Sequence, residues 1–451
     1  MNMQQLGMSV SYFMNLTLGK SHYVIILKKL SGSLLQKNLM QATINKSKPS
    51  ILHVDLNSAF ATIEQQANPL LRGKPIVVAA YGTPNAFILA PSIEAKRIGI
   101  KMGMRVRDAQ FLYPKIVVRT PDPPKYRDVH QKFKKIFLDY SPDVTPKSID
   151  EAIIDFRPME NLKPDLLRIA QEIKQRMKDE IGEWIFCSIG IGTNMFLAKL
   201  GASLHKPDGL TMIDHTNLLA TYKSAELLDL NGINVRYQAR LNIHGIHTPL
   251  DFFHASREFL QKRVFRSVIG GRWYEKLRGY EADQKEFATK SIGHQYALQK
   301  PTADPKELSR LLMKLCEKMG RRLRRKGYTA RGIHMWFSYK DHTGWHRGRT
   351  MNSEMYTTME LYRSAQLIMN GQPERKLVSH MGVSSYHLAE NNEMQLSLFE
   401  NDYSKARSVS DAADKINDVY GEFTIAPGIM MDMDDVILDR IAFGGVRDME
   451  G

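Results

Sequence analysis

Cysteine is almost missing from this chain: Cys187 and Cys316 are the only two in 451 residues, with no CxxC pair and no zinc-ligand spacing. A disulfide scaffold and a cysteine-built metal centre are therefore excluded, and a reducing compartment, the cytoplasm, is expected. Long hydrophobic runs are lacking too. In residues 1–50 the longest is Tyr23 to Leu27, far short of the ~20 residues a membrane helix needs, so no membrane partner is expected. The same segment holds six lysines but no arginine, aspartate or glutamate. It lacks the basic-start, apolar-middle order of an export signal, and residues 1–49 are expected to be an extension outside the fold. Acid is scarce relative to base: 63 Lys and Arg against 48 Asp and Glu give a net charge of +15. That excess favours a polyanionic partner, nucleic acid first.

From Ile51 the pattern changes. Short apolar runs bounded by Pro, Gly or Asn read as strands: ILHVDL (51–56), PIVVAA (75–80), AFILA (86–90), KIVVRT (115–120), KSIDEAIIDF (147–156) and SIGIGT (188–193). Between them SIEAKRIGIKMGM, RDAQFLY and NMFLAKLGASLHK read as helices, and Leu162, Leu166, Ile169, Ile173, Met177 and Ile181 share one helical stripe. Such alternation predicts a mixed α/β domain over about 50–222, followed by a mostly helical stretch to about 285. A smaller α/β unit follows over about 286–390, where Leu308, Leu311, Leu312, Leu315, Met319 and Leu323 form one helical face. The predicted class is α/β (α+β) and multidomain, in keeping with the chain's length.

Two apolar strands carry acids where a buried strand wants none. Asp55 lies in ILHVDL, and Asp150 and Glu151 lie side by side in KSIDEAIIDF. Antiparallel neighbours could bring the three to one sheet edge, where bare carboxylates repel one another. Divalent cations resolve that conflict, since Mg²⁺ takes oxygen ligands and two ions ~3.5–4 Å apart serve phosphoryl transfer. Spacing alone leaves another reading open, with Glu151 turned outward and Asp55 in a turn.

VDLNSAFA, SIEAKRIGIKMGM, SIDEA and SIGIGTNMFLAKLGASLHKPDGL, in that order, resemble the Y-family translesion DNA polymerases, the UmuC and DinB kind, over Ile51 to about Phe399. The resemblance implies a right-hand polymerase. Its palm would span 50–222 with small fingers inserted at about 67–122, its helical thumb 223–285 and its little finger 286–390, followed by a tail over 391–451. It implies that Asp55, Asp150, Glu151 and the backbone carbonyl of Leu56 hold two Mg²⁺, and that a primer 3′ hydroxyl attacks an incoming dNTP. Phe60 would be the steric gate against a ribose 2′ hydroxyl. Ser58, Lys96 and Lys206 would contact the nucleotide. Ile93 stands where many DinB-like members have tyrosine, and Ser58 replaces an aromatic residue; both departures favour the UmuC-like branch.

Primer-template DNA is the implied partner. The run KLCEKMGRRLRRKGYTAR (314–331) carries eight Lys and Arg against one acid, so Arg321, Arg322, Arg324, Arg325 and Lys326 are expected to meet phosphates, as are Arg347 and Arg349 in WHRGRT. In the thumb, Gly232-Ile233-Asn234 replaces the Gly-Ile-Gly of a helix-hairpin-helix, with asparagine expected to tolerate a positive φ. Gln395, Leu396, Ser397, Leu398 and Phe399 match the bacterial sliding-clamp pentapeptide QLxLF, which would tether the enzyme at the nucleoid. Accessory subunits are possible partners for a UmuC-like member. Two rivals stay open: a metal-dependent nuclease, and a non-catalytic factor binding DNA and clamp. A nuclease needs neither a sugar gate at Phe60 nor a triphosphate lysine at Lys206.

Overall fold

The computed structural model describes residues 44–283, 288–391, 401–434 and 436–437. They form two compact units that divide near residue 286. Both cysteines are free and buried, and among the described residues no helix is long and apolar enough to cross a membrane.

The first unit is built on a five-stranded sheet in the order β5-β6-β1-β7-β8. These strands are β1 (Ile51–Leu56), β5 (Asp143–Pro146), β6 (Glu151–Asp155), β7 (Cys187–Gly192) and β8 (Leu210–Ile213). Central β1 runs antiparallel to both β6 and β7. Its near-continuous apolar sequence reflects cover on both faces: Leu52, Val54, Ile154, Ile189 and Ile191 are buried on one side. Over the other side lies a helix, Met195–Leu204. A second sheet, β3-β2-β4 (Ile88–Pro91, Ile76–Ala79, Val117–Arg119), closes a small core with the helices Ile93–Arg97 and Val106–Leu112. The helix expected across SIEAKRIGIKMGM stops at Arg97, because the chain turns through Gly99 and Gly103, both at positive φ.

The α-helices of this unit with five or more residues are numbered in order. They are α1 (Ala59–Ala67), α2 (Ile93–Arg97), α3 (Val106–Leu112), α4 (Pro123–Leu138), α5 (Leu166–Arg176), α6 (Met195–Leu204), α7 (Leu218–Ser224), α8 (Val235–Ile243), α9 (Pro249–His254) and α10 (Ile269–Lys276). Helices α7 to α10 share a core of Tyr222, Leu241, Phe252, Phe253, Trp273 and Leu277. Ile44 is buried in that same core, and the Asn45 side chain donates to the Gly279 carbonyl at 2.9 Å. Residues 44–49 are thus part of the fold, against the expected extension over 1–49; residues 1–43 lie outside the described residues. Asn234 also departs from expectation. Only Gly232 has positive φ, whereas Asn234 is extended and caps α8 through its side chain, accepting from Arg236 and Tyr237 N–H.

The second unit carries the sheet β11-β10-β12-β9, with β9 Ser291–Thr302, β10 Tyr328–Tyr339, β11 Gly344–Met355 and β12 Val378–Glu390. Helices α11 (Pro305–Arg325) and α12 (Thr358–Asn370) supply Leu311, Leu312, Leu315, Met319, Leu361 and Ala365 to one core with Ile333, Met335, Phe337 and Val383.

A final helix, α13 (Asn401–Tyr420), corrects the reading of the basic run. Arg324, its side chain 4% exposed, grips Asp414 with both ends of its guanidinium, at 2.6 and 2.9 Å. Buried Arg321 meets Asp418 at 2.8 Å, Arg325 meets the same carboxylate at 2.9 Å, and Lys318 meets Glu422 at 3.0 Å. Arg322 donates to the Gly293 carbonyl. Arg321 and Arg324 are therefore internal ion-pair partners and present no phosphate-binding surface. Helical periodicity could place them opposite the apolar stripe of α11, but not show that an acidic helix far along the chain covers them. Lys326 caps α11. Arg347 and Arg349 are exposed on the edge strand β11, as expected. The pentapeptide Gln395–Phe399 lies outside the described residues.

Candidate active site

The register of β1 and β6 sets Asp55 directly opposite Glu151, and cross-strand neighbours project from the same face of a sheet. The strand expected through 147–156 begins only at Glu151; Asp150 sits in a bend just before it. That bend matters, because consecutive residues within a strand point to opposite faces. Outside the strand, Asp150 is free to share its neighbour's side. Its carboxyl is pushed above the usual range first by burial, then by the charges of Asp55 and Glu151, against a 2.5 Å hydrogen bond from Ser148. The Asp150 carbonyl in turn accepts from Leu56 N–H at 2.9 Å, locking the bend to β1.

Two lysines face these acids. Lys206 Nζ is 2.6 Å from Asp55 Oδ1, and Lys199 Nζ is 2.5 Å from Glu151 Oε2. His53, buried two residues before Asp55, places Nε2 3.0 Å from the same Glu151 oxygen. Burial opposes ionisation of Glu151, yet His53 and Lys199 together hold its carboxyl down at about 2. Lys96 belongs to the same field: loss of hydration and then the nearby Lys206 lower its ammonium from the ordinary range, with Asp55 opposing.

Local sequence explains each placement. A Cβ on Gly190 of β7 would stand 1.9 Å from the Ala198 carbonyl oxygen, so only glycine lets α6 lie this close to the sheet, which sets Lys199 over Glu151. The loop carrying Lys206 is tied down by side chains under β1 and β7. Asn57 Oδ1 accepts from Asp208 N–H at 2.7 Å, and Ser188 Oγ accepts from Gly209 N–H at 3.1 Å. Ser58 adopts the left-handed conformation that starts α1, and its hydroxyl is buried without a hydrogen-bond partner. Two residues on, Phe60 is 2% exposed and stacks on Tyr126 of α4, with centroids 4.4 Å apart and planes within 8°. Tyr126 is itself fixed by donating to Glu64 Oε1 at 3.0 Å.

Three carboxylates and a carbonyl are hard oxygen donors of the kind that suits a magnesium-class cation, and among the described residues no lysine is paired with Asp150. The donor set fits. As they stand, no three His, Cys, Asp or Glu side chains among the described residues are gathered closely enough to hold an ion, and ammonium groups contact Asp55 and Glu151. Sequence reasoning missed His53, Ser148, Lys199 and Tyr126. His53 was legible as the residue one strand period before Asp55. Tyr126 was signalled by Asp122-Pro123-Pro124, a helix start ahead of apolar residues at 126, 129, 133, 136 and 137.

Comparison with known proteins identifies the family. The impB/mucB/samB family model matches residues 54–203, and the model of that family's C-terminal domain matches 289–398. "DNA polymerase IV" of Pelotomaculum thermopropionicum is 33% identical over 398 residues, covering 86% of this chain and 97% of that protein. "DNA polymerase IV" of Moorella thermoacetica is 34% identical over 383 residues, covering 83% and 94%. In fold, a solved Y-family DNA polymerase chimera of Dbh and Dpo4 superposes with a TM-score of 0.66 at 23% identity, covering 76% of this chain and 99% of that one. With both family models matched in order and such a relative spanned almost end to end, this chain belongs to the impB/mucB/samB family, the Y-family DNA polymerases.

Proposed function

We propose that this protein extends primers across damaged template bases, with Asp55, Asp150, Glu151 and the Leu56 carbonyl holding two magnesium ions. The observation that carries the reading is the set of three acids on one end of the β1-β6 pair, with Lys206 on Asp55. When bound, the ions would activate the primer hydroxyl and neutralise charge building on the triphosphate. The chain's own residues then orient the partners. Lys206 and Lys96 face the phosphates, and the three acids hold their side chains at the strand ends. Phe60 walls off the sugar. First β-sheet, fingers, helical segment and second unit are read as palm, fingers, thumb and little finger, with the boundaries given above and with Ile44 and Asn45 packed on the thumb.

The relatives' names, DNA polymerase IV, support the DinB-like side of the family, while the UmuC-like branch rests on two substitutions, Ile93 and Ser58. Arg347 and Arg349 remain phosphate contacts in this reading, Gln395–Phe399 the clamp tether, and the cytoplasm at the nucleoid the place of action.

The test is a labelled primer on an undamaged template and on one with an abasic site, with four dNTPs and Mg²⁺. Growth of the primer on both is expected. Shortening would establish the nuclease, and an unchanged primer with retained DNA binding the accessory factor.

Sugar selection gives a second check. Replacing Phe60 by alanine removes the wall, and ribonucleotide discrimination is expected to fall on the order of 10²-fold. Tyr126→Leu leaves the gate in place but withdraws the ring it stacks on, so a smaller loss, roughly tenfold, is expected. Kinetics of dCTP against CTP incorporation measure both, and unchanged ratios would count against Phe60 as the gate.

A further inference from the structure

The two lysines on the acidic cradle do more than sit near it. We propose that Lys199 and Lys206 are its resident counter-cations, and that a divalent cation enters only by displacing them. This deepens the metal reading above and rests on it. Lys206 is 2.6 Å from Asp55, and Lys199 is 2.5 Å from Glu151. Each ammonium thus occupies a carboxylate oxygen that an ion would need.

Neither contact is the wandering of a loose surface side chain. Lys199 projects from a helix seated against the sheet over Gly190, and Lys206 from a loop pinned to Asn57 and Ser188. The acids they meet are well covered, Asp55 at 15% and Glu151 at 20% exposure, whereas the lysines are 38% and 36% exposed and can withdraw into water. The arrangement is therefore asymmetric: the anions are fixed and the cations can leave. Asp150 is held by the Ser148 hydroxyl and a backbone N–H, and among the described residues no ammonium is paired with it, so it is the open point at which an ion first gains a ligand.

Two consequences follow. The cradle keeps its fold without metal, since two of its three carboxylates are already met from within. Metal affinity without nucleotide is weakened, because each ion must break an existing contact. A triphosphate gives Lys206 another anion to hold, so nucleotide and metal help one another bind, whereas Lys199 acts on the metal alone.

The experiment is titration of the full-length protein with Mn²⁺, without DNA or nucleotide, reading free Mn²⁺ by paramagnetic resonance. Melting in EDTA and in excess Mg²⁺ is followed alongside. For Lys199→Met, binding is expected to tighten about threefold to tenfold, the scale of one partly exposed ion pair. Its melting point in EDTA should fall and the gain on adding Mg²⁺ should widen, while Lys199→Arg should restore wild-type behaviour. Unchanged or weaker Mn²⁺ binding by the methionine variant overturns the proposal. If wild type binds Mn²⁺ and Asp150→Asn does not, that failure belongs to the lysine alone. If wild type and Asp150→Asn are indistinguishable, the metal reading falls, and this inference with it.

Discussion

Asp150→Asn is expected to lose primer extension on the order of 10³-fold, the scale seen when transition-state charge stabilisation is removed, while becoming more stable without metal. Both effects come from one carboxylate. Asparagine keeps an oxygen for the Ser148 hydroxyl but cannot carry the charge that an ion would meet. Burial first, then Asp55 and Glu151, hold the Asp150 carboxyl above its ordinary range. A carboxyl raised in this way binds its proton more tightly folded than unfolded, so it costs stability as pH rises from the unfolded value through the folded one. The neutral amide removes that cost. Melting in EDTA should show the variant above wild type at pH 7.5, with the gap closing as the buffer is made acidic. A variant less stable than wild type at pH 7.5, or one that extends primers normally, would refute the account.

Asp414→Ala should destabilise the second unit by about 3 kcal/mol, because it takes both close carboxylate contacts from Arg324, which is almost wholly covered. Arg324 is 4% exposed and Arg321 6%, and both meet Asp414, which is itself 18% exposed. For a unit of this size the loss corresponds to a fall in melting temperature of roughly 6–12 °C. The control lies one helical turn away. Asp418 is half exposed and its removal leaves Arg321 its longer contact with Asp414, so Asp418→Ala should cost less, about 1–2 kcal/mol. Calorimetry of the two variants separates them, and equal small shifts would show that α13 contributes little to this unit. Freed arginines would also raise salt-sensitive DNA binding in the Asp414 variant, which filter binding at two ionic strengths can read.

Much of the candidate site was readable from the chain. Asp55, Asp150, Glu151, Phe60 and Lys206 stand in short motifs whose order marks the family, and the alternation of apolar runs placed most strands of the first sheet within a few residues. What went unread depends on contacts between distant segments. Lys199 looked like one more polar position on a helix, because its meaning depends on the glycine that lets α6 approach β7. Tyr126 acquires a role only by stacking on Phe60 from another helix. The arginines of α11 showed the opposite error. Their spacing suggested an open basic face, and the acids that cover it, Asp414 and Asp418, lie some ninety positions later.

Sequence by itself determined the chemistry available: which strands carry acids, which turns need glycine, and where the excess of positive charge lies. These are local properties, set by side-chain type and by periods of 2 and 3.6 residues. Only the tertiary structure decided how that charge is spent, placing Lys206 and Lys199 against the acids and turning Arg321 and Arg324 inward. Coulomb energy depends on distance and burial, and neither is written in the order of residues.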